Sequence, residues 1–211
     1  VDEERAKNTK LVEWVKHGPA GAVVQPQQKE ILRYLPRTLP ILMVGNTRKA
    51  LTDMALDARA RFRGKVIAVT GTVGKTSTRE MLKVALAQQG GSFGTTSNNN
   101  NVPGVHKTLA STHPDVGWCV IEMGFGNPRS GILRSSEAAK PHLSLISNIS
   151  LAHVDALTVE EGGDPIPAIA RHKAKIFAAQ DKGPVVLGAD HGAFELLASL
   201  ARDAGHEVAS F

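Results

Sequence analysis

The sequence predicts an α/β fold: a mostly parallel sheet with helices on both faces, preceded by a small partial α/β domain. Short β-branched runs alternate with amphipathic stretches along the chain, the pattern of strands joined by helical crossovers. One buried apolar run, Lys65 to Thr70, passes through a glycine turn straight into a helix. The balance of 42% hydrophobic and 21% charged residues over 211 positions belongs to a globular chain and excludes a disordered or collagen-like one.

Residues 5–17 read as a helix with Leu11, Trp14 and Val15 on one face, stopped by Gly18 to Gly21. Ala22 to Val24 and Ile41 to Val44 are short strands. Asn46 or Thr47 can cap a helix to about Phe62, with Leu51, Met54, Ala55 and Ala58 inward. A boundary at Arg63–Gly64 separates a partial N-terminal domain, 1–63, from a second domain, 64–211. The second opens with the strand Lys65 to Thr70, the turn Gly71 to Gly74, and a helix Lys75 to Gln88 with Met81, Leu82, Ala85 and Leu86 inward. Gly90 to Asn101 is a polar loop, long enough to suggest a role. Strands follow at 118–123, 143–147, 185–188 and 207–210, with helices near 130–139, 166–180 and 191–203.

The formal charge of +5 favours anionic partners. Its densest run, Arg59, Arg61, Arg63 and Lys65, reads as a solvated helix end rather than a nucleic-acid face. A single cysteine, Cys119, excludes an internal disulfide and a cysteine metal cluster and fits a reducing compartment. No apolar run approaches the roughly 20 residues that span a bilayer. The expectation is a cytoplasmic monomer acting on small molecules, without nucleic acid and without a membrane span.

The segment VIAVTGTVGKTS, residues 66–77, carries the chemistry. A helix N-terminus offers unpaired N–H groups and the positive end of a dipole, which together bind phosphate. Gly71 and Gly74 let the backbone approach an anion in torsions a Cβ resists. Lys75 can reach terminal phosphates, and Thr76 can place its hydroxyl on a magnesium ion between them. Gly71, Thr72, Gly74, Lys75, Thr76 and Ser77 are therefore the candidate nucleotide-binding residues of a P-loop type of fold. The match is to a shortened form, since Val69 stands where the general pattern has its first glycine. The turn does not supply the G-x-G-x-x-G of a dinucleotide fold.

Several further segments occur in a telling order: NNNVPGVHKTL (99–109), VIEMGFGNPRSG (120–131), KPHLSLISNISLAHVD (140–155) and HKAKIF (172–177). With TGTVGKTS (70–77) they resemble the central ATPase domain of the Mur ligases, a family that includes folylpolyglutamate and cyanophycin synthetases. Within it they look most similar to the subgroup that adds D-alanyl-D-alanine to a UDP-N-acetylmuramoyl tripeptide. His106 and Lys107 depart from that subgroup, which usually has Pro and an apolar residue there.

The resemblance implies an ADP-forming ligase in peptidoglycan precursor synthesis. ATP phosphorylates a substrate carboxylate, an amine attacks the acyl phosphate, and the tetrahedral intermediate collapses to an amide and phosphate. The substrates would be a nucleotide-sugar peptide and an amino acid or dipeptide, with ATP and Mg2+ as cofactors. Thr76, Glu122 and His153 would bind the metal. Lys75, Lys173 and His153 would be catalytic, with Lys173 matching a lysine carbamylated by CO2 in many members. Asn100 and Asn101 match a pair near phosphate and substrate. The resemblance also implies a C-terminal ligase domain that this chain lacks, and a truncated N-terminal domain. A polyglutamate- or cyanophycin-type ligase, a P-loop NTPase without a ligase step, and a non-catalytic nucleotide-binding module remain alternatives.

Overall fold

A computed structural model describes residues 13–125, 131–151 and 164–211. They divide into two compact units, the first ending at Leu51 and the second running from Thr52 to Phe211. In the first, β1 (Ala22–Val24) pairs in parallel with β2 (Ile41–Met43), and a 3-10 segment, Pro26–Tyr34, connects them. Helix α1 (Thr47–Arg61) follows. Residues 13–16 are helical, and the rest of the expected first helix lies outside the described residues.

The second unit holds a six-stranded parallel sheet in the order β4-β5-β3-β6-β7-β8. Its strands are β3 (Lys65–Thr70), β4 (Ser92–Gly94), β5 (Trp118–Glu122), β6 (Leu143–Ile146), β7 (Pro184–Leu187) and β8 (Glu207–Ser210). The helices between them are α2 (Lys75–Ala87), α3 (Val102–Ala110), α4 (Gly131–Ala139), α5 (Ile166–Ala174) and α6 (Phe194–Asp203). A parallel sheet requires crossovers, and these helices supply them.

Both faces of β3 are covered because alternate residues point to opposite sides. Val66 and Ala68 join the larger core with Val105, Ile132, Ile169 and Leu197 from α3 to α6. Ile67 and Val69 meet Leu82 and Leu86 of α2 in a smaller cluster. Helices on both faces are therefore present but unevenly shared. Among the described helices, only α2 contributes to the smaller cluster.

Several elements differ from expectation. The polar loop 90–101 contains the edge strand β4, paired with β5 through Phe93↔Cys119. Helix α3 was not anticipated, although its signals are local. Asn101 caps it by accepting the Gly104 N–H at 3.0 Å, and Pro103 sits in the first turn, where a missing N–H costs nothing. The helix expected at 166–180 is α5 followed by a 3-10 turn, Lys175–Phe177, and the last begins at Phe194. Met54 on α1 and Met81 and Ala85 on α2 are exposed; on α2 the half-buried stripe is the narrow i, i+4 pair Leu82 and Leu86. Among the described residues no helix is long and apolar enough to cross a membrane.

The topology locates the site. The chain leaves β3 toward β4 on one side, returns to β5, and crosses to β6 on the other side of β3. Ligands of open α/β sheets bind at the carboxyl ends of strands where the order reverses in this way.

Candidate active site

Thr70 ends β3 and anchors it, its hydroxyl donating to the Met123 carbonyl at 2.7 Å. Gly71 then turns the chain at φ +152°. A Cβ on Gly71 would collide with the Ser147 hydroxyl, so glycine lets the loop lie against the segment that follows β6. That segment braces the loop. Ser147 Oγ donates to the Val73 carbonyl at 2.6 Å, and the Thr72 N–H donates to the Asn148 carbonyl at 2.9 Å. Thr72 Oγ1 also donates to the Ser150 carbonyl and accepts from its N–H, at 3.2 and 3.1 Å.

Gly74, at φ +80°, is the N-cap of α2 and brings no side chain to the first-turn amides. Those amides and the positive helix end are what an anion uses. Thr76 and Ser77 open the same turn, and Ser77 is exposed.

Two ammonium groups converge on one carbonyl of this loop. Lys75 Nζ donates to Gly71 O at 2.9 Å and to Thr72 O at 2.8 Å. Lys173 comes from α5, 102 residues along the chain, and donates to the same Gly71 oxygen at 2.9 Å. It is only 2% exposed, and the Phe125 ring centre lies 5.5 Å from its Nζ. Burial, and secondarily the charge on Lys75, push the Lys173 ammonium down to about 7. Burial also lowers Lys75, with Glu122 opposing the shift.

Glu122 is aligned with Val69, one residue before the end of β3, so the strand register delivers its carboxylate beside the loop. Its Oε2 accepts from the Thr76 hydroxyl at 2.9 Å and from Arg79 Nη1 at 2.9 Å. Its Oε1 accepts from Asn100 Nδ2 at 2.9 Å. Arg79 was missed in the sequence. The available signal was its spacing from Thr76, since residues i and i+3 of a helix share a face. Arg79 is a cation beside the buried Glu122 that the sequence reading did not name.

A cavity of about 260 Å³ is lined by Gly71, Thr72, Lys75, Asn100, Gly124, Phe125 and Lys173. The fold thus gathers the loop, both lysines, Asn100 and, through Thr76, Glu122. Asn101 serves as the cap of α3. His153 lies outside the described residues.

The donors suit magnesium. Among the described residues no group of three His, Cys, Asp or Glu side chains assembles, so a soft or high-affinity metal cage is not formed there. Thr76 Oγ1 and Glu122 Oε2 are hard oxygen donors 2.9 Å apart.

The family description "Mur ligase middle domain" matches residues 69–211. The chain belongs to the Mur ligase family. The UDP-N-acetylmuramoyl-tripeptide–D-alanyl-D-alanine ligase of Escherichia coli K12 is 32% identical over 189 residues, covering 89% of this chain and 39% of that protein. The ligase of the same name from Synechocystis is 35% identical over 161 residues, 76% of this chain and 34% of that one. A crystal structure of MurF from Acinetobacter baumannii superposes with a TM-score of 0.76 at 25% identity, covering 93% of this chain and 46% of that one. The Thermotoga maritima MurF ligase solved in complex with ADP gives 0.70 at 20% identity and shares the fold. This Mur ligase chain therefore spans between 34% and 48% of the length of these relatives.

The buried Lys173 makes a testable signature within this Mur ligase domain. Its folded value of about 7 lies below the ordinary 10.5, so the unfolded state holds more protons between those pH values. Stability contributed at this position must then rise with pH across that window. Relative to Lys173→Met, the wild type should gain about 5 °C in melting temperature between about pH 6 and pH 9. A pH-independent difference between the two would contradict the buried placement.

Proposed function

We propose that this chain is the ATP-binding part of an ADP-forming amide ligase that acts in peptidoglycan precursor synthesis. The observation that carries the reading is the braced glycine loop with Lys75, Lys173 and Glu122 around one cavity, in a chain of the Mur ligase family. The names of the relatives support a UDP-N-acetylmuramoyl tripeptide as the carboxylate substrate and D-alanyl-D-alanine as the amine. The adenosine ligands named in related structures support ATP.

The loop amides and Lys75 bind the phosphate chain and offset its charge as the carboxylate oxygen attacks the terminal phosphorus and ADP leaves. The substrate amine then attacks the acyl carbon, and inorganic phosphate departs with the carboxylate oxygen. Phosphorylation is needed because a carboxylate oxygen is a poor leaving group. Thr76 and Glu122 would hold magnesium, with His153 joining them on the resemblance alone. The metal would neutralise phosphate oxygens and orient them. Lys173, with its amine neutral above about pH 7, is suited to take up CO2 as a carbamate, turning a cation into an anion beside Lys75. Asn100 holds Glu122, and Asn101 fixes the helix that follows. We place the enzyme in the cytoplasm as a monomer acting on small molecules.

The test uses the full-length parent protein with ATP and magnesium. ADP release should require both a UDP-muramoyl tripeptide and D-alanyl-D-alanine, and a ligated peptide should appear in equal amount. ADP release that ignores both substrates would replace the ligase with a simple NTPase.

A further inference from the structure

We propose that Arg79 is a positioning residue: the cation that pairs with the Glu122 carboxylate and holds it aimed at the glycine loop before a metal arrives. The metal half of this rests on the function proposed above, and the ion pair itself does not.

Arg79 is 3% exposed and Glu122 is 2% exposed, and Nη1 meets Oε2 at 2.9 Å. A carboxylate so deeply placed needs a paired charge. The two lysines of the site are turned elsewhere, toward the carbonyls of Gly71 and Thr72. The guanidinium is fixed from several directions. Its Nε and Nη2 donate to Glu80 Oε1 at 2.9 and 2.6 Å, and its Nη1 also donates to the Ser97 carbonyl at 2.9 Å. A planar fork held in this way does not swing with the occupancy of the site.

The other partner of Oε2 is of a different kind. The Thr76 hydroxyl can rotate its proton away and present a lone pair. Metal entry between Thr76 and Glu122 then costs one hydroxyl–carboxylate hydrogen bond and leaves the ion pair in place. The site is preorganised, and Arg79 and the metal share the charge of one carboxylate.

A purely structural bracket between α2 and the loop at Ser97 would use the same arginine, so the experiment must separate charge from tethering. Thermal unfolding of the 211-residue chain in EDTA is compared for wild type, Arg79→Met, Glu122→Gln and the double variant. Arg79→Met should melt about 10 °C lower. The double variant should recover more than half of that loss, because a neutral amide needs no cation. Arg79→Lys retains the charge, so adding Glu122→Gln to it should give no recovery. A double variant no better than Arg79→Met, including one in which neither folds, overturns the proposal, as does equal recovery on the lysine background. Magnesium with ADP should then raise the melting temperature of Arg79→Met more than that of wild type, since the metal takes over the missing charge. Equal increments overturn the metal half. If neither protein responds to magnesium with ADP, the proposed function fails, while the recovery comparison still decides the ion pair.

Discussion

Replacing Lys75 by alanine is expected to abolish substrate-dependent ADP formation by the full-length enzyme, with a loss of about a thousandfold or more. The ammonium lies on the loop itself, donating to Gly71 and Thr72 carbonyls and lining the cavity. It is the group able to follow charge onto the leaving phosphate oxygens, and the uncharged backbone amides cannot replace it. The fold should survive, because Lys75 belongs to neither hydrophobic core. Titration calorimetry with ATP should show weakened binding in the same variant. Turnover at the wild-type rate would remove the phosphate-loop assignment altogether.

The second large effect is expected from Gly71→Ala. Two penalties add at this position. The backbone sits at φ +152°, a torsion L-residues avoid, and the new methyl group would run into the Ser147 hydroxyl. Together they should cost about 2–4 kcal/mol, which for a chain of this size lowers the melting temperature by roughly 5–15 °C. Gly205→Ala is the matched control. It has φ +83° with nothing within 4 Å of the added carbon, so it should lose only about 1–2 kcal/mol of torsional preference. ATP affinity should fall with Gly71→Ala and not with Gly205→Ala. Equal destabilisation by the two would mean that Ser147 does not press against the loop.

How much of this was readable follows from distance along the chain. The strand, glycine turn and helix of residues 65–87 are contiguous, so hydrophobic periodicity, glycine and the Lys-Thr pair announce them together. Strand β4 was hidden because Ser92–Gly94 carries one large apolar residue, Phe93, and is a strand only through its pairing with β5. Helix α3 was hidden although Asn101 and Pro103 mark its start, because Gly104 and the run of asparagines before it read as loop. Met54 and Met81 were misplaced because periodicity defines a face, not how much of that face a neighbour covers.

By itself the sequence determined the glycine turn between strand and helix, the alternation of strands and helices, and the candidates Glu122 and Lys173. Each rests on residues close together in the chain or on an ordered set of short motifs. Tertiary structure alone decided what those side chains meet: Arg79 against Glu122 across 43 residues, Ser147 against Val73 across 74, and Lys173 against Gly71 across 102. Such encounters are set by the register of parallel strands and by the crossovers that order them, and no local propensity encodes either.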